Sequence, residues 1–269
     1  MTHSDPDESR QLMEVISVPD TPHEFVGHPA KLHRHIAETL IRDYSRPGGV
    51  VLDPFAGLGT VPRAAVRLGR VGLGIEIEQA FVDRAADLGV GLFHADARDI
   101  AQLNLPPIDL IVTSPPYGEA IGRAGDRDPA KTAKAKATYE IRRFGKQITK
   151  HAVYGCTPGN IGALPLRRKA APSFTSELPG IVSALIAELT TGGRLVWVVK
   201  DQRLGRRRLG ACDIFSLVRQ VSEECGLIYE GRRVAVLPDR LITQWQRVNA
   251  QRWGIPVPNA EHVCVMRKP

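Results

Sequence analysis

A short stretch of the chain, Thr113-Ser-Pro-Pro-Tyr-Gly118, combines hydrogen-bond acceptors with an aromatic ring on a stiff backbone. The two prolines, Pro115 and Pro116, fix φ at their own positions and push Ser114 towards extended geometry. The Ser114 hydroxyl, the Pro115 carbonyl and the Tyr117 ring suit an exocyclic amino group of a nucleobase that stacks on the tyrosine. A proline turn that merely ends a strand is the alternative interpretation.

A second candidate site is the glycine-containing turn Asp53-Pro-Phe-Ala-Gly-Leu-Gly-Thr60, which follows a short apolar run over residues 49–53. Gly57 and Gly59 permit backbone geometry that is closed to other residues. A helix predicted from residue 61 onwards would point unpaired N–H groups into this turn. The spacing therefore predicts a ligand-binding turn between a strand and a helix.

The elements that must position these turns alternate between strand and helix patterns. Apolar runs at residues 49–53, 71–77, 92–94 and 109–113 predict four strands, with amphipathic helices between them. This alternation predicts an α/β fold with a doubly wound Rossmann-like sheet, in which ligands bind beyond the carboxyl ends of the strands. Four polar candidates fall at such ends: Asp53, Glu76, Asp96 and Ser114.

The remaining patterns complete this organisation. Helical spacing of apolar residues predicts helices over Leu32–Tyr44 and Leu178–Leu189, the second ending at Gly192-Gly193. A fifth strand is expected over residues 194–200, and a terminal pair of strands makes the sheet mostly parallel with an antiparallel terminal strand. Residues 1–24 are polar and predict a flexible segment. Residues 25–269 predict a single domain with a basic insertion at 118–172.

The positive charge of the chain is concentrated in that insertion. The formal net charge is +7, and residues 118–172 hold twelve Lys or Arg against four Asp or Glu. Tyr139, Phe144 and Tyr154 lie among these charges, a pattern typical of phosphate contact combined with base stacking. We therefore expect a nucleic-acid-binding segment, the alternative being a solvated loop; its candidate contacts are Arg142, Arg143, Lys146, Arg167 and Arg168.

The composition argues against several other classes of protein. No run of 18 apolar residues and no signal peptide is recognisable, which predicts a cytoplasmic protein without a membrane partner. The four cysteines show no C-x-x-C spacing, and the histidines near residue 30 do not share a helix face, so no metal site is expected. The sequence makes no prediction of the oligomeric state.

The Asp53–Thr60 turn and the Ser-Pro-Pro-Tyr turn together resemble motifs of the amino-group DNA methyltransferases that use S-adenosyl-L-methionine. Asp53–Thr60 is similar to the family's cofactor motif Asp-Pro-Phe-x-Gly-x-Gly-Thr, and Ser114–Tyr117 is similar to its catalytic motif. The resemblance is good over residues 27–117 and loose over 176–236.

The resemblance implies a cofactor role for residues around the first turn. Phe55 would pack against the adenine of the cofactor, while Gly57 and Gly59 would let the backbone approach its methionine part. Glu76 would accept hydrogen bonds from the ribose hydroxyls, and Asp96 would contact the adenine amino group. The full set of implied cofactor-binding residues is His28, Lys31, Asp53, Phe55, Gly57, Gly59, Thr60, Glu76 and Asp96.

The resemblance also implies a chemistry for Ser114, Pro115, Pro116 and Tyr117. A flipped base would be held by its amino group, and a serine in the first catalytic position favours cytosine N4 over adenine N6. The cofactor motif precedes the catalytic motif here, an order that is uncommon among cytosine-N4 members of the family.

Three alternative functions remain open at this point. An RNA amino-group methyltransferase would present the same acceptors to a flipped base, and a catalytically silent nucleic-acid-binding protein could share the scaffold. A nicotinamide dehydrogenase is suggested by Gly72-Leu-Gly74, but these glycines lie inside a predicted strand rather than at the start of a helix.

Overall fold

The fold is known from a computed structural model that describes residues 14–21, 32–116, 157–164, 172–200, 202–204, 210–239 and 259–269. The strands in these ranges are β1 (Glu14–Ser17), β2 (Val50–Asp53), β3 (Val71–Glu76), β4 (Phe93–His94), β5 (Ile108–Thr113), β6 (Leu189–Val199), β7 (Gln202–Leu204), β8 (Gly210–Cys212), β9 (Ile228–Val236) and β10 (Ala260–Arg267). The α-helices are α1 (Arg34–Tyr44), α2 (Thr60–Arg67), α3 (Gln79–Asp87), α4 (Phe174–Glu188) and α5 (Ile214–Glu224).

Eight of these strands form one sheet in the order β1-β9-β10-β6-β5-β2-β3-β4, and β7 pairs with β8 separately. Every pairing in the large sheet is parallel except those of β10, which runs antiparallel to β6 and to β9. The predicted Rossmann-like sheet, mostly parallel with an antiparallel terminal strand, is confirmed.

Side chains of the central strand β6 alternate between the two faces of the sheet because successive residues of a strand point in opposite directions. Leu195 and Trp197 belong to the core cluster that contains the buried residues of α4 and α5. Val196 and Val198 belong to the cluster on the other face, which contains the buried residues of α1 and α2. Both faces of the sheet are thus covered, as a doubly wound fold requires.

Two glycines of β3 allow α2 to pack closely on the sheet. A Cβ atom on Gly72 would lie 2.1 Å from the Pro62 carbonyl oxygen, and one on Gly74 would lie 2.8 Å from both Pro62 Cγ and Ala56 Cβ. Helix α2 could not approach β3 so closely if either position carried a side chain. The Gly72-Leu-Gly74 pattern is therefore explained by packing, and it does not require a dinucleotide.

The N-terminal region differs from the expectation that residues 1–24 lack fixed structure. Strand β1 pairs in parallel with β9, and Ile16 and Val18 are buried against the α1 face of the sheet. The pattern of polar residues and prolines did not reveal this strand because its partner lies more than 200 residues away in the sequence.

The end of α4 also differs slightly from the prediction. The helix stops at Glu188, and β6 already begins at Leu189, before Gly192-Gly193. The register between β5 and β6 shifts between Ile108 and Leu110, and Gly192 adopts a positive φ of 76° there. The glycines therefore form an irregularity at the start of the strand.

Several predicted residues lie outside the described ranges: His28, Lys31, Tyr117, Arg142, Arg143, Lys146, Arg167 and Arg168. Of the helices that the structure does describe, none has the length and apolar character needed to cross a bilayer.

Candidate active site

A cleft of about 880 Å³, measured with its open mouth, lies at the carboxyl ends of the central parallel strands. It brings together most of the predicted residues that the structure describes: Asp53, Phe55, Gly57, Thr60, Glu76, Asp96, Ser114 and Pro116. Gly59 and Pro115 are not among the lining residues. Gly59 precedes the first residue of α2 with a φ of 82°, and Pro115 is buried directly behind the Ser114 turn.

The two predicted turns are joined by a buried hydrogen bond. The Thr113 hydroxyl donates to Asp53 Oδ1 across 2.7 Å, and the Phe55 N–H donates to the same oxygen across 3.0 Å. Asp53 ends β2 and Thr113 ends β5, and these strands are neighbours in the sheet. One carboxylate therefore fixes the glycine-containing turn relative to the residue that precedes Ser114.

Burial raises the pKa of Asp53 to about 7, although its hydrogen bonds with Thr113 and Phe55 act in the opposite direction. The charged form is costly here because the side chain has little contact with water. Near neutral pH this carboxyl exists in both protonation states.

Glu76 occupies the predicted position at the end of β3, where its carboxylate is held by two backbone donors. The Gly57 N–H donates to Oε2 across 2.8 Å, and the Glu78 N–H donates to Oε1 across 2.9 Å. Gly57 has a φ of 55°, which lets the turn fold back towards β3. The pKa of Glu76 is raised to about 7, chiefly by burial; its two backbone hydrogen bonds act against this rise, and the nearby charges of Glu78 and Asp53 add to it.

Asp96 also lines the cleft, but its carboxylate is already engaged by a neighbouring side chain. Arg98 donates from Nε to Oδ1 across 3.0 Å and from Nη2 to Oδ2 across 2.6 Å. Arg98 Nη1 reaches Glu177 on α4 across 2.7 Å. Any ligand group that meets Asp96 must share its oxygens with this guanidinium.

The lining of the cleft is acidic. Asp53, Glu76 and Asp96 all contribute carboxyl groups, while no Lys or Arg occurs among the lining residues in the described part of the chain. Such a site favours a ligand with positive charge and hydroxyl donors, and it disfavours the pyrophosphate of a dinucleotide.

Sequence reasoning missed four residues that build this site. Thr113 could have been found, because it ends the predicted strand that directly precedes Ser114. Glu78 and Arg98 each follow a predicted site residue by two positions, but their partners are distant in sequence. Asn160 lies in the cleft wall with no local signal at all.

Residues 6–87 match the N6/N4 methyltransferase family model, described as DNA methylase. The matched segment contains the Asp53–Thr60 turn and Glu76, whereas the Ser114 turn lies beyond it.

Two named proteins are similar to part of this chain. The Type II methyltransferase M.ScaI of Streptomyces caespitosus is 36% identical over 29% of this chain and 24% of its own length. The DNA adenine methyltransferase YhdJ of Escherichia coli is 37% identical over 30% of this chain and 27% of its own length. The chain thus spans about a quarter of the length of the relatives that it matches.

A solved structure extends the likeness at the level of the fold. TrmN from Thermus thermophilus superposes with a TM-score of 0.51 over 90% of this chain and 50% of its own length, at 16% sequence identity. At this level of identity the superposition concerns the fold alone.

Proposed function

We propose that this protein transfers a methyl group from S-adenosyl-L-methionine to an exocyclic amino group of a base in DNA. One observation carries the proposal: the Asp53–Thr60 turn, which lies in the segment matched by the family model, and the Ser-Pro-Pro turn line the same cleft. A donor and an acceptor of a methyl group must lie side by side, because aligning the reactants supplies much of the rate enhancement.

The charge of the cleft lining supports the proposed cofactor. S-Adenosyl-L-methionine, when bound, supplies an electrophilic methyl group on a cationic sulfur. The acidic lining favours that positive charge, and Glu76 is positioned at a strand end suited to ribose hydroxyls. Phe55 would contact the adenine, Asp96 the adenine amino group, and Gly57 the methionine part, while His28 and Lys31 remain predicted contacts.

The Ser-Pro-Pro turn would hold the target amino group. The Ser114 hydroxyl and the Pro115 carbonyl would accept its hydrogen bonds, so that the nitrogen lone pair faces the cofactor side of the cleft. Tyr117 would stack on the base. Because Ser114 lines a protein cleft, a base in a duplex would have to rotate out of the helix to reach it, at a cost of a few kcal/mol.

The serine favours cytosine N4 as the target over adenine N6, as the family resemblance implies. DNA is proposed as the substrate because the matched family model is described as DNA methylase and both relatives are DNA or Type II methyltransferases. The basic residues Arg142, Arg143, Lys146, Arg167 and Arg168 would contact its phosphates.

The test is to identify the methylated nucleoside. The protein is incubated with methyl-labelled cofactor and either a mixed-sequence DNA duplex or tRNA and rRNA transcripts, and the products are hydrolysed and separated. We expect label in N4-methylcytosine from the duplex and none from the transcripts. Label only in RNA would replace DNA with RNA as the substrate, and label in N6-methyladenine would overturn the cytosine preference.

Ser114→Ala is the matched variant in this assay. Loss of one acceptor should lower the rate of methyl transfer by about 100-fold through misalignment. The affinity for S-adenosylhomocysteine should stay within about twofold, because Ser114 acts on the target and not on the cofactor. An equal loss in rate and in cofactor affinity would contradict this role.

A further inference from the structure

A short segment, residues 157–164, lies against the cleft and is bound by a buried carboxylate. Glu78 accepts hydrogen bonds from the Thr157 N–H at 3.2 Å, the Thr157 hydroxyl at 2.7 Å and Asn160 Nδ2 at 2.6 Å. Glu78 is 6% exposed and Asn160 is 5% exposed. A carboxylate this deeply buried needs such donors, and hydrogen bonds to a charged acceptor are stronger than neutral ones.

A second contact holds the same segment from the other side. Arg98 Nη2 donates to the Gly159 carbonyl across 2.9 Å, while the same guanidinium binds Asp96 and Glu177. Gly159 has a φ of 88°, and a Cβ atom there would lie 2.8 Å from Arg98 Nη2. The glycine therefore allows the segment to approach the rim closely.

The segment is ordered internally as well. Asn160 Oδ1 accepts the Gly162 N–H across 2.8 Å, so the Asn160 side chain joins the start of a 3₁₀ turn to Glu78. Gly159, Asn160 and Ile161 all line the cleft. These three residues form one wall of the cleft. Its position depends on Glu78, which follows the proposed ribose-binding Glu76 by two residues.

We propose that Glu78 is a positioning residue that seats residues 157–161 as a wall of the cofactor cleft. The inference rests on the proposed function, since it assigns the wall to cofactor binding. Glu78 acts through Thr157 and Asn160: when the three hydrogen bonds are present, the wall closes the side of the cleft next to Glu76 and Asp96. When they are lost, that side opens and the cofactor loses contact area.

The experiment is a double-mutant cycle on the affinity for S-adenosylhomocysteine, measured by calorimetry. The proteins are the wild type, Glu78→Ala, Asn160→Ala and the double variant, with Asp87→Ala as a matched control. Asp87 ends the helix that begins just after Glu78, and its side chain is 69% exposed. We expect Glu78→Ala to weaken binding by about tenfold and the double variant to bind no more weakly than Glu78→Ala, because both changes remove the same contact.

Additive effects of Glu78→Ala and Asn160→Ala, or unchanged affinity in Glu78→Ala, would overturn the proposal. Thr157→Val removes only the hydroxyl contact and serves if Glu78→Ala fails to fold; it should weaken binding about threefold. A loss of thermal stability without a change in affinity would also count against a positioning role.

A ligand-free measurement separates this inference from the proposed function. In Glu78→Ala, the amides of Thr157 and Gly162 should exchange with solvent faster than in the wild type, while amides of β5 should not change. A wild type that binds no S-adenosylhomocysteine would refute the proposed function. Unchanged exchange at these two amides would refute the seating of the wall by Glu78, whatever the ligand.

Discussion

At the scale of single residues, two carboxyl groups with raised pKa values dominate the cleft. Asp53 and Glu76 each have a pKa near 7 because burial penalises their charged forms. Their hydrogen-bond partners differ: Asp53 accepts from the Thr113 hydroxyl, whereas Glu76 accepts from the backbone N–H groups of Gly57 and Glu78. Protonation of either carboxyl would therefore act on a different set of hydrogen bonds.

The pKa of Glu76 leads to a prediction about pH and cofactor affinity. Ribose hydroxyls donate to a carboxylate, so the ionised form should bind the cofactor more tightly. As the pH rises from 6 to 8, Glu76 passes through its pKa and the affinity for S-adenosylhomocysteine should increase by up to about tenfold. Above pH 8 the affinity should level off.

Calorimetry with Glu76→Gln is the control for this pH dependence. The amide does not titrate, so the part of the pH dependence of the affinity that belongs to Glu76 should disappear. Only the contributions of Asp53 and of the ligand itself should remain. If the variant and the wild type show parallel slopes, Glu76 does not control the affinity.

At this scale the sequence was informative about residues in local patterns. The positions of Asp53, Glu76 and Ser114 at or just after strand ends agree with the prediction, because each strand is recognisable from its apolar run. Asn160 and Arg98 could not be found, since their roles depend on contacts between segments 61 to 82 positions apart in the chain.

At the scale of elements, the close packing of α2 on β3 gives a test of the two glycines. Gly72→Ala would place a methyl group against the Pro62 carbonyl, which is backbone and cannot rotate away. We expect the free energy of unfolding to fall by about 3 kcal/mol or more. Urea denaturation followed by circular dichroism measures the change.

Gly231→Ala is the control for this substitution. Gly231 also lies in a strand, β9, but a Cβ atom there would have no neighbour within 4 Å. Alanine should leave the stability unchanged or raise it by about 0.5 kcal/mol, because it restricts the unfolded chain. A similar decrease in the free energy of unfolding of both variants would mean that glycines in these strands affect stability for reasons other than helix packing.

Strand β1 gives a second test at this scale. Ile16 is 4% exposed and packs into the core, whereas Val15 in the same strand is 57% exposed. Ile16→Ala should cost about 2 kcal/mol of unfolding free energy, and Val15→Ala less than about 0.5 kcal/mol. Equal effects in urea denaturation would mean that β1 does not pair with β9 in solution.

The elements themselves were largely predictable, with instructive exceptions. Helix α1 was recognised because Ile36, Leu40 and Ile41 form one apolar face, and these side chains are fully buried. Strand β1 was missed because four residues carry too little pattern, and its stability comes from pairing with β9.

At the scale of the whole molecule, acidic and basic residues are concentrated in different parts of the chain. The described cleft is acidic, while the excess positive charge belongs to residues 118–172. This separation suits a protein that binds a small cation in one place and a polyanion in another.

The proposed contact between the basic residues and DNA can be tested through the salt dependence of DNA binding. Neutralising Arg142, Arg143 and Lys146 to Gln should weaken DNA binding and reduce the slope of log affinity against log salt concentration by about 2 to 3, close to one per lost phosphate contact. The control neutralises Arg34, Arg42 and Arg84, which are exposed on α1 and α3 and change the net charge equally. Equal slopes in both triple variants would show that only net charge matters.

The placement of β10 between β6 and β9 has a consequence for synthesis on the ribosome. Strands β2 to β6 are neighbours in the sheet and leave the ribosome before β9, but β9 and its partner β1 cannot be joined to β6 until residues 260–267 follow. At ordinary translation speeds this delay lasts about one to five seconds, during which the edges of β6 and β9 are open to other chains. Nascent-chain chaperones are therefore expected to act on the open edges of β6 and β9 during this interval.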